Sequence, residues 1–255
     1  MCSGLKKKTW RCVVYLLAVL ALRCTTTAFD ASKLNIPKVV DYRSSHLITP
    51  VREQGQCGAC WAFAPLEVVE ALWAFRGRNA LKSEAFSVQH LIDCSGISYG
   101  CRGGDICDAV DFLQATAYRF IEREAYPLYD ATKHATCQKQ VKPLANVSVT
   151  GYWCENYSGR EEDLLNTIAQ HGPVVAAVDS TVWRDYLGGI IRFNCDAGEK
   201  THAVVIAGYN LSHTPPFYIV RNSWGGDFGD RGYLYIAVGD NLCGVADRVT
   251  RLAID

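Results

Sequence analysis

The cysteines constrain the fold of this chain more than any other residue type. The sequence contains 12 cysteines, of which Cys2, Cys12 and Cys24 precede residue 28 and nine follow it. In an oxidising compartment thiols tend to pair, so eight of the nine could form four disulfides. The odd cysteine is then a candidate free and reactive thiol. We therefore predict a disulfide-linked domain that keeps one cysteine for chemistry.

The first 28 residues have the pattern of a secretory signal peptide. Basic residues at positions 6–8 and 11 precede an apolar run over residues 13–22, and small residues follow up to Ala28. The alternative is a membrane anchor, but ten apolar residues are about half of what a spanning helix needs. We therefore predict cleavage after Ala28, no membrane association after cleavage, and a secreted or lysosomal location.

The charge balance excludes two classes of partner. Lys and Arg total 26 and Asp and Glu total 26, so the formal net charge is zero. A neutral chain has no general electrostatic attraction to nucleic acid or to an anionic membrane. With 255 residues, 49% of them hydrophobic, the chain can form one large or two small domains around a substantial core.

Two patterns of apolar residues divide the chain. Apolar residues recur at helical spacing over residues 60–76, and shorter helices are indicated at 87–93 and 106–116. Later in the chain, short apolar, β-branched or aromatic runs separated by turns predict strands, which lie at 174–178, 202–209, 217–221 and 233–237. Helices followed by strands predict an α+β protein in two lobes, with a functional cleft between them.

The segment Cys57–Cys60 admits three interpretations. A redox-active cysteine pair would need a thioredoxin-like βαβ setting, which the neighbouring pattern does not offer. A structural zinc site would need a second close cysteine pair, and Cys101 and Cys107 do not form one. The favoured interpretation is a nucleophile, Cys60, in the first turn of a helix and followed by Trp61, because a helix N-terminus stabilises the reactive thiolate. We therefore expect no metal and no cofactor.

The run Gln54–Phe63 resembles the active-site segment of the papain and cathepsin family of cysteine peptidases, in its cathepsin L-like branch. Ala59 stands where the family usually has serine, and Ile36–Arg43 resembles the start of a mature enzyme. The resemblance covers residues 36–255. It implies a papain-like two-lobed α+β fold, with a helical left lobe, an antiparallel β-barrel right lobe and the active-site cleft between them.

The resemblance divides the chain into a signal peptide (1–28), a short lead (29–35) and a peptidase domain (36–255). Within that domain, residues 36–140 would form the mainly helical lobe and residues 141–255 the mainly β lobe. Members of the family carry a prodomain of many tens of residues before the enzyme, which inhibits it and assists folding. The lead is much shorter, so three explanations stay open: folding without a prodomain, a missing exon, or a partner that substitutes for it.

By the same resemblance, four residues would carry catalysis. Cys60 would be the nucleophile, and His202 the base, since it opens an apolar strand and follows Cys60 within the family's spacing of ~130–150 residues. Asn222 would orient the imidazole, while Trp224, which also borders the substrate, would shield that hydrogen bond from water. Gln54 and the Cys60 N–H would stabilise the oxyanion. The predicted function is a cysteine endopeptidase that uses a thiolate–imidazolium pair and a thioester acyl-enzyme.

The resemblance also implies how substrate binds. Gly103 and Gly104 would let an extended peptide make strand-like backbone hydrogen bonds. The expected partners are therefore protein or peptide substrates in extended conformation. Ala177 and Ala203 would line the pocket for the second residue before the scissile bond, and Arg248 would lie at its bottom.

Two interpretations of Arg248 stay open. Its guanidinium could favour Asp or Glu at the second position before the cut, through a direct charge pair. Alternatively, the long side chain could turn into solvent and leave the pocket without a charge.

Three disulfides are implied by the resemblance: Cys57–Cys101, Cys94–Cys137 and Cys195–Cys243. With Cys60 reserved for catalysis, Cys107 and Cys154 remain, and elimination predicts a fourth bridge between them. The alternative is two free buried thiols, because free cysteine is commonly buried. A cysteine near position 154 also resembles the dust-mite protease allergens, although their partner cysteine near the mature N-terminus is missing here.

Further expectations concern inhibitors, oligomeric state and glycosylation. The resemblance implies cystatin-like inhibitors, and we expect a monomer. Asn146, Asn156 and Asn210 begin glycosylation sequons, as suits a secreted chain. A rival function is a secreted, disulfide-linked binding protein on a papain-like scaffold without turnover, since fold alone does not determine function.

Overall fold

The computed structural model describes residues 29–30, 32, 34–45, 47–76, 86–96, 100–128, 136–138, 140–143 and 147–255. The predicted signal peptide and the sequon at Asn146 lie outside these residues. Among the described residues, no helix combines the length and the apolar character that crossing a membrane requires.

The described chain contains four α-helices: α1 (Cys60–Phe75), α2 (Val88–Cys94), α3 (Ile106–Ala115) and α4 (Glu161–His171). The first three agree with the predicted helices to within one residue at each end. Two of them begin at side-chain caps: Ser87 Oγ accepts from His90 N at 3.0 Å, and Asp105 Oδ1 accepts from Cys107 N at 2.8 Å. Such caps satisfy N–H groups that the first turn leaves unpaired.

In the described part of the chain, eight strands form one sheet: β1 (Val39–Asp41), β2 (Val149–Glu155), β3 (Val174–Val178), β4 (Ile190–Ile191), β5 (His202–Asn210), β6 (Phe217–Arg221), β7 (Tyr233–Ala237) and β8 (Arg248–Ile254). The spatial order is β2-β8-β3-β5-β6-β7-β4, and β1 pairs with β5. All pairings are antiparallel except that of β4 with β7, which is parallel. The α+β papain-like class predicted from the sequence is confirmed.

Strand β3 shows how the sheet organises two cores. Val175 and Ala177 face the core that α1, α2 and α3 share with β8, whereas Val174, Ala176 and Val178 face the core that contains α4. Alternate residues of a strand point to opposite faces. Because both faces of β3 are covered, its sequence is an uninterrupted apolar run rather than an alternating one.

Four disulfides link distant parts of the chain, and they are the pairs named from the sequence: Cys57–Cys101, Cys94–Cys137, Cys107–Cys154 and Cys195–Cys243. Among the described residues, Cys60 is the free cysteine. The Cys107–Cys154 bridge joins the first turn of α3 to β2. It therefore ties the helical side of the molecule to the edge of the sheet.

Candidate active site

Cys60 is the first residue of α1, and the loop before it is tightly constrained. The Cys57–Cys101 disulfide and the hydrogen bond from Gly58 N to Cys101 O, at 2.8 Å, hold this loop against the turn at Gly100–Arg102. A Cβ atom on Gly58 would lie 2.7 Å from the Cys101 carbonyl oxygen, so a side chain does not fit there. Trp61 adds a bond from Nε1 to Gly100 O at 3.0 Å.

Burial raises the pKa of the Cys60 thiol, while the backbone N–H groups of Ala203, Trp61 and Cys60 lower it. The residue before the helix, Ala59, has no capping side chain. No side chain at the N-cap position therefore accepts a hydrogen bond from the first N–H groups of α1. They favour negative charge at the sulfur.

His202 is the first residue of β5. Asn222 directly follows β6, the strand that pairs with β5. His202 Nε2 lies 2.7 Å from Asn222 Oδ1, and the same oxygen accepts from Ser223 N at 2.8 Å. An amide oxygen can only accept, so Nε2 carries the proton of the neutral ring. This tautomer leaves Nδ1 free to accept a proton.

Aromatic rings enclose the imidazole. The Trp224 ring lies 4.9 Å from the His202 ring, centroid to centroid, and Trp183 stands edge-on at 6.2 Å. His202 is 6% exposed, and this burial lowers its pKa to about 4, although the bond to Asn222 opposes the shift. Burial of an imidazole disfavours its charged form. The ring is thus neutral unless a negative charge forms beside it.

Gln54 is held at the mouth of the site by two side-chain hydrogen bonds. Its Oε1 accepts from Ser223 Oγ at 2.5 Å, and its Nε2 donates to Cys57 O at 2.7 Å. The backbone is also fixed, since Gln54 N donates to Ser223 O at 2.8 Å. An amide NH2 has two hydrogens, so one remains for a further acceptor.

A buried network of charges lies beneath these residues and was not found by sequence reasoning. Arg221, which immediately precedes Asn222, donates to both carboxylate oxygens of Glu67 on α1, at 2.8 and 2.9 Å. Arg52 pairs with Glu70 on the same helix at 3.0 Å. The network connects the helix that starts at Cys60 to the strand that ends at Arg221, directly before Asn222. A signal existed: two glutamates interrupt an otherwise apolar helix, and buried charges require partners.

One cleft, with a volume of about 400 Å³ and partly open to solvent, contains most of the predicted site. Nine residues named from the sequence line it: Gln54, Cys60, Gly103, Gly104, Ala177, His202, Ala203, Trp224 and Arg248. Asn222 is 1% exposed and lies behind His202. Residues that the sequence did not single out also line it: Gly58, Arg102, Asp105, Ile106, Ser180, Lys200 and Thr201.

Three neighbouring strands place one row of residues across this cleft. Ala203 of β5 pairs with Ala177 of β3, and Ala177 pairs with Arg248 of β8. Paired residues on adjacent strands share a face of the sheet. The two small side chains leave an open trough beside Cys60, and Arg248 stands at its far end. The glycine on the opposite wall, Gly103, has φ +118°, a conformation that favours glycine.

The Arg248 guanidinium is bound to Asp105, across the cleft. Neither interpretation drawn from the sequence included this contact. The Arg248 side chain is 47% exposed, and its charge is paired.

One group of metal-ligand residue types lies elsewhere, at His90, Cys94 and Cys137, whose ligand-type atoms lie within 4.8 Å of one another. The two sulfurs are joined in a disulfide, and His90 Nδ1 is 2.6 Å from Tyr118 OH. A metal ligand must be a thiolate or a free imidazole nitrogen, so the oxidised group does not offer a metal site.

Comparison with known proteins decides the family. A model of the papain family of cysteine proteases matches residues 36–252. The chain belongs to this family. Human cathepsin O is 36% identical over 221 residues, which are 87% of this chain and 67% of that protein. The protein is thus a cysteine endopeptidase, and it acts on protein or peptide substrates.

Solved structures agree with this assignment. Digestive procathepsin L2 from larval midgut of Tenebrio molitor superposes with a TM-score of 0.76 at 30% identity, over 87% of this chain and 69% of that one. A structure described for the mite allergens Blo t 1 and Der p 1 also gives 0.76, at 29% identity, over 90% of this chain and 74% of that one. The predicted resemblance to cathepsin L-like enzymes and mite allergens is confirmed.

Proposed function

We propose that Cys60, His202, Asn222 and Gln54 are the catalytic residues of this endopeptidase. The observation that carries the proposal is their convergence on one cleft. Cys60, His202 and Gln54 line it, and the bond from His202 Nε2 to Asn222 Oδ1 at 2.7 Å fixes the ring from behind. A nucleophile, a base and a group that orients the base are the parts that covalent catalysis requires.

Ionisation of the pair is the first step. The Cys60 thiol gives its proton to His202 Nδ1, which the bond at Nε2 leaves unprotonated. Burial opposes a lone thiolate and a lone imidazolium, since it raises the pKa of Cys60 and lowers that of His202 to about 4. Two opposite charges formed together stabilise each other, and the helix N-terminus adds to this. The two residues therefore titrate as a pair.

Acylation follows from the same geometry. The thiolate attacks the scissile carbonyl carbon, and the oxygen that becomes negative accepts from the remaining Gln54 Nε2 hydrogen and from Cys60 N–H. The imidazolium then protonates the departing amine, and a thioester remains on Cys60. Water loses a proton to His202 and attacks the thioester, which releases the acid and restores the thiol.

Substrate binding uses both walls of the cleft. An extended peptide pairs its backbone with Gly103 and Gly104, and its second residue before the scissile bond enters the trough of Ala203, Ala177 and Arg248 (the specificity pocket). Trp224 borders the other side of His202. The two alanines support this proposal, because they leave room for a side chain.

The proposal also covers the processing of the chain, its oligomeric state, its location and its inhibitors. Residues 1–28 are removed as a signal peptide, residues 29–35 form a short lead, and residues 36–255 form the peptidase, in lobes that divide near residue 140. The enzyme acts as a monomer in the extracellular space or the lysosomal lumen, where cystatin-like proteins inhibit it. The four disulfides support an oxidising compartment.

The test is secretion of the full chain from a eukaryotic host, followed by assays of dipeptide reporter substrates under mildly acidic, reducing conditions. We expect hydrolysis and labelling by thiol-directed inhibitors, and loss of both in Cys60→Ala. His202→Asn should retain the fold but lose turnover by a factor of about 10³ or more. A folded wild-type protein with neither turnover nor labelling would instead support a binding protein on this scaffold.

A further inference from the structure

An ion pair closes the far end of the specificity pocket. Arg248 begins β8, and its guanidinium is bound to the Asp105 carboxylate, which stands at the start of α3 on the opposite wall. Both residues line the cleft that contains Cys60 and His202. A substrate side chain that reaches the end of the trough therefore meets a paired guanidinium.

Asp105 is fixed in place independently of Arg248. Its Oδ1 accepts from Cys107 N at 2.8 Å and from Asp108 N at 3.3 Å, which makes it the N-cap of α3. Its Oδ2 is the oxygen that contacts Arg248. The Cys107–Cys154 disulfide anchors the same helical turn to β2. The carboxylate is thus a preorganised partner for Arg248 rather than a mobile surface group.

A second cation at this cleft is compensated in the same way. Lys200 lines the cleft, and its Nζ lies 2.9 Å from Oδ2 of Asp247, the residue that precedes Arg248 in the chain. A substrate carboxylate in the pocket would therefore face Arg248 and Lys200, each paired with a carboxylate, and also Arg102, which lines the same cleft. Its attraction to Arg248 and Lys200 is offset by repulsion from Asp105 and Asp247, which lie closer to those two cations.

We propose that Asp105 is a specificity-determining residue: it holds and neutralises Arg248, so that the pocket selects an uncharged second residue before the scissile bond and rejects Asp and Glu. The proposal rests on the proposed function of the cleft. Rejection by a built-in like charge is a common source of specificity. The acidic preference that Arg248 alone would give is thus suppressed by a residue 143 positions earlier in the chain.

Asp105→Asn is the decisive variant. Asparagine caps a helix about as well as aspartate, so the variant keeps α3 and removes only the charge. The probes are two reporter peptides that differ only in Gln or Glu at the second position, assayed at pH 6, where Glu is ionised. We expect wild-type kcat/KM to favour Gln, and the Glu-to-Gln ratio to rise about tenfold or more in Asp105→Asn, since the freed guanidinium gains a charge-assisted bond.

Asp108→Asn is the matched control. Asp108 lies three residues further along the same helical turn and is exposed, so the variant removes an equal charge without releasing Arg248. The Glu-to-Gln ratio of kcat/KM in Asp108→Asn should stay within about twofold of the wild-type ratio. The double variant Asp105→Asn/Arg248→Gln should lose the gain in Glu preference, because the gain requires the guanidinium.

Each contrary result overturns the inference. These results are a wild-type preference for Glu, an unchanged ratio in Asp105→Asn, or an equal rise in Asp108→Asn. The same peptides, titrated calorimetrically against Cys60→Ala forms of each variant, measure the pocket without turnover. An enzyme without activity would therefore overturn the proposed function, while the binding ratio would still decide the role of Asp105.

Discussion

Two arginine–carboxylate pairs connect the helical side of the molecule to the sheet, and they differ in burial. Arg221 is 1% exposed and holds Glu67 of α1 through two bonds. Arg248 has a side chain that is 47% exposed and holds Asp105 at the start of α3. The first pair lies beneath the proposed catalytic residues, and the second lies at the end of the proposed specificity pocket.

The difference in burial separates two roles. When a buried pair loses one member, the other is left as an uncompensated charge, which is strongly destabilising. An exposed pair is screened by water and contributes little to stability. A substrate can reach only the exposed pair, however. We infer that the buried pair fixes the geometry of catalysis and that the exposed pair sets which substrates are accepted.

The largest effect is expected from the buried pair. Arg221→Ala should lower the free energy of unfolding by about 3 kcal/mol or more, because the buried Glu67 and Glu70 carboxylates would then share a single guanidinium, that of Arg52. Urea unfolding measures this change. Arg160→Ala is the control, since Arg160 pairs with Asp163 at the surface at 2.8 Å, and it should cost less than about 1 kcal/mol. Equal costs for the two variants would remove the distinction between buried and exposed pairs.

The Cys107–Cys154 disulfide, next to the Arg248–Asp105 pair, provides the next test. Replacing Cys107 and Cys154 together with serine should lower the free energy of unfolding by about 2–4 kcal/mol, as expected for a loop of this size. The Glu-to-Gln ratio should nevertheless stay near the wild-type value, because the helix cap still holds Asp105. If the ratio instead changes as much as in Asp105→Asn, the disulfide rather than the cap positions the carboxylate.

The pH dependence of the free energy of unfolding should reveal the lowered pKa of the buried His202 imidazole. In Cys60→Ala, which has no thiolate, the folded pKa of His202 is about 4 and the unfolded value is near 6.5, so the unfolded chain binds the proton first as the pH falls. Stability is therefore complete above about pH 6.5 and is lost as the pH falls towards 4, by at most about 3 kcal/mol.

Denaturant unfolding of Cys60→Ala and of Cys60→Ala/His202→Asn, at pH 7 and pH 4.5, isolates this contribution. The loss at low pH should be smaller in the double variant. An identical loss in both proteins would mean that His202 stays accessible to protons in the folded state. It would also contradict the burial of the imidazole against Trp224 and Trp183.

The smallest effect on stability is expected at the exposed pair. Arg248→Gln should change the free energy of unfolding by less than about 1 kcal/mol, because both partners contact water. It should still keep the wild-type rejection of Glu, since no free cation is created. A loss comparable to that of Arg221→Ala would show that the pair at the pocket is a structural link.

Much of the architecture could be predicted from the sequence, because the signals for these helices and strands are local. The helices that begin at Cys60 and Ile106 agree with the structure to within a residue, and so do strands β3 and β6. Periodicity and caps are encoded within a short window of sequence. Helix α4 and strands β1, β2, β4 and β8 were not delimited. Strand β8, for example, mixes Arg and Thr with its apolar residues and gains its strand character from pairing with β2 and β3.

The sequence by itself predicted the nucleophile and its base from a motif and its spacing, three cysteine pairs from the family resemblance, and the Cys107–Cys154 pair by elimination. Only the tertiary structure decided the partners of the two arginines. Arg221 and Glu67 are 154 residues apart, and nothing in either local segment names the other. Likewise, the sequence around Arg248 is compatible with an acidic preference or with a side chain turned into solvent, whereas folding places Asp105 against it. A charge is visible in a sequence, but whether it is compensated depends on long-range contacts that the sequence pattern does not record.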